Sequence, residues 1–107
     1  MEKYSEKKNI AIFISGRGSN LKSLIKYSMK EKASFRILLV ISNNPDAKGL
    51  EYASKNKIKN YVIKFKEKSF FENQSLKLLR KHNIEMLCLA GFMKVLSGSF
   101  IKKFQSQ

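Results

Sequence analysis

Between Ile10 and Phe104 the chain alternates between two hydrophobic rhythms. Ile10 to Ile14 (IAIFI) is an unbroken apolar run rich in β-branched residues, the pattern of a strand buried on both faces. The glycine turn SGRGSN follows. From Leu21 the apolar residues Leu21, Leu24, Ile25 and Met29 recur at i, i+3, i+4 and i+8, which predicts one buried face of an amphipathic helix ending near Lys30. Phe35 to Ile41 (FRILLVI) predicts a second buried strand, SNNPDAKG a turn, and LEYASKNK a short helix. After a polar stretch around Asn56 to Asn60, Tyr61 to Phe65 (YVIKF) predicts a third strand. Ser69 is placed as an N-cap with Glu72 completing a capping box, and Phe70, Phe71, Leu76, Leu78 and Leu79 supply the buried side of a third helix. Glu85 to Ala90 (EMLCLA) predicts a fourth strand, and GFMKVLSGSF leads to a terminal helix carrying Phe100, Ile101 and Phe104.

Successive βα units imply an α/β fold with a parallel sheet, right-handed crossovers and helices on both faces. In a doubly wound, Rossmann-type sheet of order 3-2-1-4 the chain reverses direction after the first strand. The loops after strands 1 and 4 then flank the crevice where such sheets bind ligands. On that topology SGRGSN and GFMKVL face one another. Residues 1–8 (MEKYSEKK) are expected to be a frayed, solvated extension, and residues 9–107 to be part of a single domain, the half that contains its first four strands.

Composition changes this picture only at its margins. The 107 residues include 22 Lys and Arg against 8 Asp and Glu, a formal net charge of +14 that would ordinarily suggest nucleic acid or an anionic membrane. Lysine supplies 19 of those 22 positive charges and arginine three, so the planar guanidinium that suits nucleic-acid contacts is scarce. The lysines fall in every segment without an interleaved aromatic platform, so a specific nucleic-acid partner ranks last. The single Cys88 excludes an intramolecular disulfide framework and a multi-thiolate metal site. No apolar run is long enough for a signal sequence or a membrane span, and the expected location is the cytoplasm.

Gly16 and Gly18 permit close backbone approach, while Ser19 and Asn20 sit where the following helix presents its unpaired N–H groups and the positive end of its dipole. Such a turn can hold a phosphate. Equally, the glycines can simply make a tight turn that Ser19 or Asn20 caps. The spacing is not GxGxxG, strand 2 ends in SNN rather than in an acidic residue, and no GK[ST] follows. A dinucleotide cofactor and a Walker A loop are therefore disfavoured, and a small phosphomonoester suits the turn better.

Three stretches taken together, ISGRGSNL, VISNNPDAKGLEYA and LAGFMKVLSGSF, resemble the N-terminal half of the phosphoribosylglycinamide formyltransferases, folate-dependent enzymes of purine synthesis. The likeness runs from Asn9 to Phe104. It implies a formyltransferase-like sheet, glycinamide ribonucleotide as substrate, 10-formyltetrahydrofolate as co-substrate, and no metal. By resemblance, Gly18, Ser19 and Asn20 match the positions that bind the substrate phosphate. Met93, Lys94, Val95 and Leu96 match the loop that receives the pterin end of the formyl donor, and Lys68 matches a basic residue touching the folate. Arg17 occupies a variable position of the turn.

The family's chemistry needs an oxyanion donor and a group that manages the proton of the attacking amine. In the family these are an Asn and a His within an NxHPS stretch, tuned by a later Asp, and none of the three has a match here. The fold is accordingly expected to be cut short before its C-terminal strands, leaving the EMLCLA edge open to self-association or to a complementing C-terminal fragment. No catalytic residue is assigned to this chain. His82, at the end of the third helix, is read as structural, its imidazolium meeting the negative helix end. Cys88 is read as a small core residue, Ser15 and Ser19 lack a nucleophile elbow, and Glu72 and Glu85 lack a partner carboxylate. A non-catalytic ribonucleotide- or folate-binding module is the alternative function.

Overall fold

The computed structural model describes residues 7–16 and 19–105. Along these run β1 (Lys8–Ile14), α1 (Ser19–Ser28), β2 (Phe35–Ser42), α2 (Gly49–Lys55), β3 (Lys59–Val62), α3 (Lys68–Lys81), β4 (Met86–Leu89) and α4 (Gly98–Gln105). The strands form one parallel sheet of order β3-β2-β1-β4. At its centre Ile12 of β1 is in register with Val40 of β2 on one side and Cys88 of β4 on the other.

The apolar run of β1 is unbroken because both faces of the sheet are covered. Ile10, Ile12 and Ile14 point to one side, where Leu21 and Ile25 of α1 and Ala53 of α2 pack. Ala11 and Phe13 point to the other, against Phe71, Leu76 and Leu79 of α3 and Phe100 of α4. Phe13 is fully buried at the heart of that second cluster, with ring centroids 5.6 Å from Phe71, 5.3 Å from Phe92 and 6.2 Å from Phe100.

Helices α2 and α3 both end on a left-handed residue that is not glycine. Lys57 has φ 60° and Asn83 φ 54°. In each case the next amide reaches back to the carbonyl five residues earlier, Ile58 to Ala53 at 2.8 Å and Ile84 to Leu79 at 2.9 Å, which closes the last turn and delivers an isoleucine to the core.

Several expectations need correction. The third strand is Lys59–Val62 rather than Tyr61 to Phe65. An edge strand paired only to β2 tolerates the polar Lys59 and Asn60, and Asn60 Nδ2 is satisfied by Ser54 Oγ at 3.1 Å and the Ile58 carbonyl at 3.0 Å. Ser69 is not the N-cap of α3. The cap position belongs to the extended Glu67, which makes no side-chain capping bond, and Glu72 is engaged elsewhere. Phe70 is 52% exposed: its side chain leaves the helix about 100° around from the fully buried Phe71, on the opposite side from Glu72, and falls outside the buried face. Met29 lies just past α1 and is 59% exposed. Cys88 is half-buried.

His82 caps the C-terminal end of α3 with its amide on the Leu78 carbonyl at 3.1 Å, but its surroundings disfavour the expected imidazolium. Burial first, then the neighbouring Lys81 and Lys59, hold its pKa below the usual 6.5. The folded state thus favours the neutral ring, and the unfolded chain takes up the proton first as pH falls. Stability is expected to be fully present above pH 6.5 and to decline as pH drops below it. His82→Gln should flatten that part of the profile in urea titrations at pH 7.5 and pH 5.5.

Candidate functional site

At the carboxyl ends of β1, β2 and β4 three loops meet on one serine. Ser15 is only 8% exposed. Its hydroxyl donates to Asn43 Oδ1 at 2.6 Å and accepts the Met93 amide at 2.9 Å, while its carbonyl accepts Asn44 Nδ2 at 3.1 Å. Asn44 is held in turn by its own amide on Ser42 Oγ at 3.0 Å, and its Oδ1 accepts the Asp46 amide at 3.0 Å. The SNN that closes β2 is therefore a hydrogen-bonded shelf that fixes the end of β1 against the loop after β4.

That loop leaves the sheet abruptly. The Ala90 amide bonds the Phe13 carbonyl at 3.0 Å, and Gly91 then takes φ +72°, a conformation open to glycine at little cost. Phe92 turns inward against Phe13 and Phe71, at 5.3 Å and 5.6 Å. Beyond it Met93 and Val95 are 78% and 77% exposed, whereas Leu96 packs back on the core. Lys94 Nζ lies 5.5 Å from the ring of Phe65, in the β3–α3 connection. The loop ends at Ser97, whose Oγ accepts the Phe100 amide at 3.0 Å as the N-cap of α4.

The two sequence-predicted loops thus touch directly through Ser15 and Met93. Gly18 and Arg17 lie outside the described residues. Ser19 is the first residue of α1, and Asn20 is exposed in its first turn. Lys68 is the exposed first residue of α3, one turn before Glu72 on the same helix face. Sequence reasoning passed over Ser15, Asn43, Asn44 and Glu72 as site residues. Only the polar cluster SNN at the end of a buried strand signalled Asn43 and Asn44. Chemically, the arrangement ties the end of β1 to a loop that presents Met93, Val95 and Lys94 to solvent.

Among the described residues no group of three or more His, Cys, Asp or Glu side chains could hold a metal ion, and no helix is long and apolar enough to cross a membrane. The outer edge of β4 is unpaired within the sheet, and beside it Met86, Leu89, Leu96, Ile101 and Phe104 line an apolar groove.

The formyl transferase family profile matches residues 8–107. The chain is 36% identical over 106 residues to the trifunctional purine biosynthetic protein adenosine-3 of Gallus gallus, covering 96% of this chain and 11% of that protein. It is 34% identical over 102 residues to the phosphoribosylglycinamide formyltransferase of Haemophilus influenzae, covering 91% of this chain and 47% of that one. Among solved structures, the phosphoribosylglycinamide formyltransferase of Brucella melitensis superposes with a TM-score of 0.88 at 34% identity, over 94% of this chain and 54% of that one. The corresponding protein of Anaplasma phagocytophilum gives 0.84 at 37% identity, over 92% and 46%. The chain therefore spans about half the length of the phosphoribosylglycinamide formyltransferases it matches and about a tenth of the trifunctional protein.

Proposed function

Since this chain belongs to the formyl transferase family, we propose that it serves glycinamide ribonucleotide formylation in purine synthesis. In that reaction the primary amine of the substrate attacks the formyl carbon of 10-formyltetrahydrofolate. A tetrahedral intermediate forms, the bond to the folate nitrogen breaks, and the proton lost by the amine leaves with tetrahydrofolate. Gly18, Ser19 and Asn20 are assigned the phosphate of the ribonucleotide. Met93, Lys94, Val95 and Leu96 are assigned the pterin end of the folate, with Lys68 on the same ligand. The reading gives this chain binding roles only. The proton transfer and the oxyanion are left to the family's NxHPS stretch, to which none of these residues is matched.

The observation that carries this reading is the 2.9 Å hydrogen bond from Met93 to Ser15. It joins the end of β1 to the loop assigned to the folate, which supports a reading in which the amine of a phosphate-anchored substrate lies beside a formyl group on the folate. Proximity of two bound reactants is itself a large part of such catalysis.

Calorimetric titration of this chain with glycinamide ribonucleotide and, separately, with tetrahydrofolate tests it. Both should bind. Asn20→Ala, which removes a polar group from the first turn of α1, is expected to weaken ribonucleotide binding about tenfold and to leave folate binding within about twofold. Equal loss of both ligands, or binding of neither by the unaltered chain, would overturn the assignment.

A further inference from the structure

The loop assigned to the folate is exposed over Met93 to Val95, yet it is fixed at both ends by polar side chains that lie elsewhere in the fold. Ser15 holds one end. At the other, the carboxylate of Glu72 on α3 accepts the Ser97 amide through Oε2 and the Ser97 hydroxyl through Oε1, each at 2.7 Å. Glu72 is 8% exposed, and only eight residues of this chain are acidic. Burying one of them costs desolvation that its hydrogen bonds must offset. Short bonds to both carboxylate oxygens from a single residue do so, and they are the strong, charge-assisted kind.

Ser97 does not need Glu72 to cap α4, since its hydroxyl oxygen already serves the Phe100 amide. What the carboxylate adds is a fixed position for the backbone at the loop's end. From that position the chain runs back through Leu96 to Val95, Lys94 and Met93. With both ends pinned, the segment between them has less freedom to lose when a ligand arrives, and preorganisation of this kind appears as affinity.

We propose that Glu72 is a positioning residue for the folate: acting through Ser97, it holds the loop from Met93 to Leu96 in the shape that receives the ligand, without touching it. The proposal rests on the binding reading above, and its test separates the two. Tetrahydrofolate and glycinamide ribonucleotide are titrated against this chain and against Glu72→Ala and Glu72→Gln. In parallel, amide hydrogen exchange is read at Met93 and Ser97, with Ile12 and Leu39 as core references.

Glu72→Ala is expected to weaken tetrahydrofolate binding about tenfold while ribonucleotide binding stays within about twofold. The Ser97 and Met93 amides should exchange faster, and those of Ile12 and Leu39 should not. Glu72→Gln retains one acceptor for the Ser97 amide and can donate its NH2 to the Ser97 hydroxyl, so it should restore most of the folate affinity. Parallel loss of both ligands with faster exchange in the core would make Glu72 a merely structural residue and overturn the proposal. So would unchanged folate binding in Glu72→Ala. If the unaltered chain binds neither ligand, the binding reading fails. Slow exchange at Met93 and Ser97 in Glu72→Ala would then dismiss the clamp as well, whereas fast exchange confined to the loop would uphold it.

Discussion

Phe13→Ala is expected to destabilise the domain by about 3–5 kcal/mol, the usual loss for an aromatic ring deleted from a closed core. Phe13 has no exposed surface, and its ring meets those of Phe71, Phe92 and Phe100, which come from α3, the β4–α4 loop and α4. The cavity cannot close by a shift of one neighbour, because each is tied to a different element. A domain of this size has a total stability of about 5–15 kcal/mol, so the variant should be partly unfolded at 37 °C. Phe70→Ala is the control. With its side chain half in solvent on α3, it should change stability by about 1 kcal/mol or less. Urea unfolding followed by far-ultraviolet circular dichroism would show a much lower midpoint for the first variant and a nearly unchanged one for the second. Similar midpoints would mean that the aromatic cluster does not hold the second face of the sheet.

The contrast between Phe13 and Phe70 also shows where hydrophobic patterning ran out. IAIFI announces a central parallel strand because every residue is apolar, and the structure buries both faces of β1. The strand order 3-2-1-4 follows from successive βα units and a single reversal. Helix α3 was harder. Ser69 and Glu72 satisfy the spacing of a capping box, but that local pattern competes with a tertiary partner 25 residues away, and Ser97 won the carboxylate. Of the paired Phe70 and Phe71 only the second faces inward, and periodicity alone did not say which would.

Much of the candidate site was legible as loops and little of it as contacts. SGRGSN and GFMKVL were recognisable as unusual turns at the right ends of the right strands. The bond that joins them spans 78 positions, and nothing near Ser15 in the sequence points to Met93. Ser15 lacks the surroundings of a nucleophile, and its role is a different one. Its hydroxyl hydrogen is committed to Asn43 and its lone pair to Met93, so its chemistry is spent on architecture.

Ser15→Val should expose that commitment. Valine fills the volume but offers neither donor nor acceptor, which strands the Met93 amide and Asn43 Oδ1 at once. A fully buried polar group left unpaired costs about 1–3 kcal/mol, so two of them would cost about 2–6 kcal/mol. Asn43 is half-buried and Met93 largely exposed, so solvent recovers part of both shares and the expected loss is about 1–3 kcal/mol. Ser15→Thr keeps the hydroxyl and adds one methyl to a tight place, a strain cost of about 1 kcal/mol. The discriminating measurement is hydrogen exchange at Met93. It should accelerate by orders of magnitude in Ser15→Val, beyond what the global loss explains, and only slightly in Ser15→Thr. If the two variants exchange alike at Met93, the serine hydroxyl is not what joins the two loops, and the pairing of the α1 turn with the loop after β4 must rest on the packing of Phe92 alone.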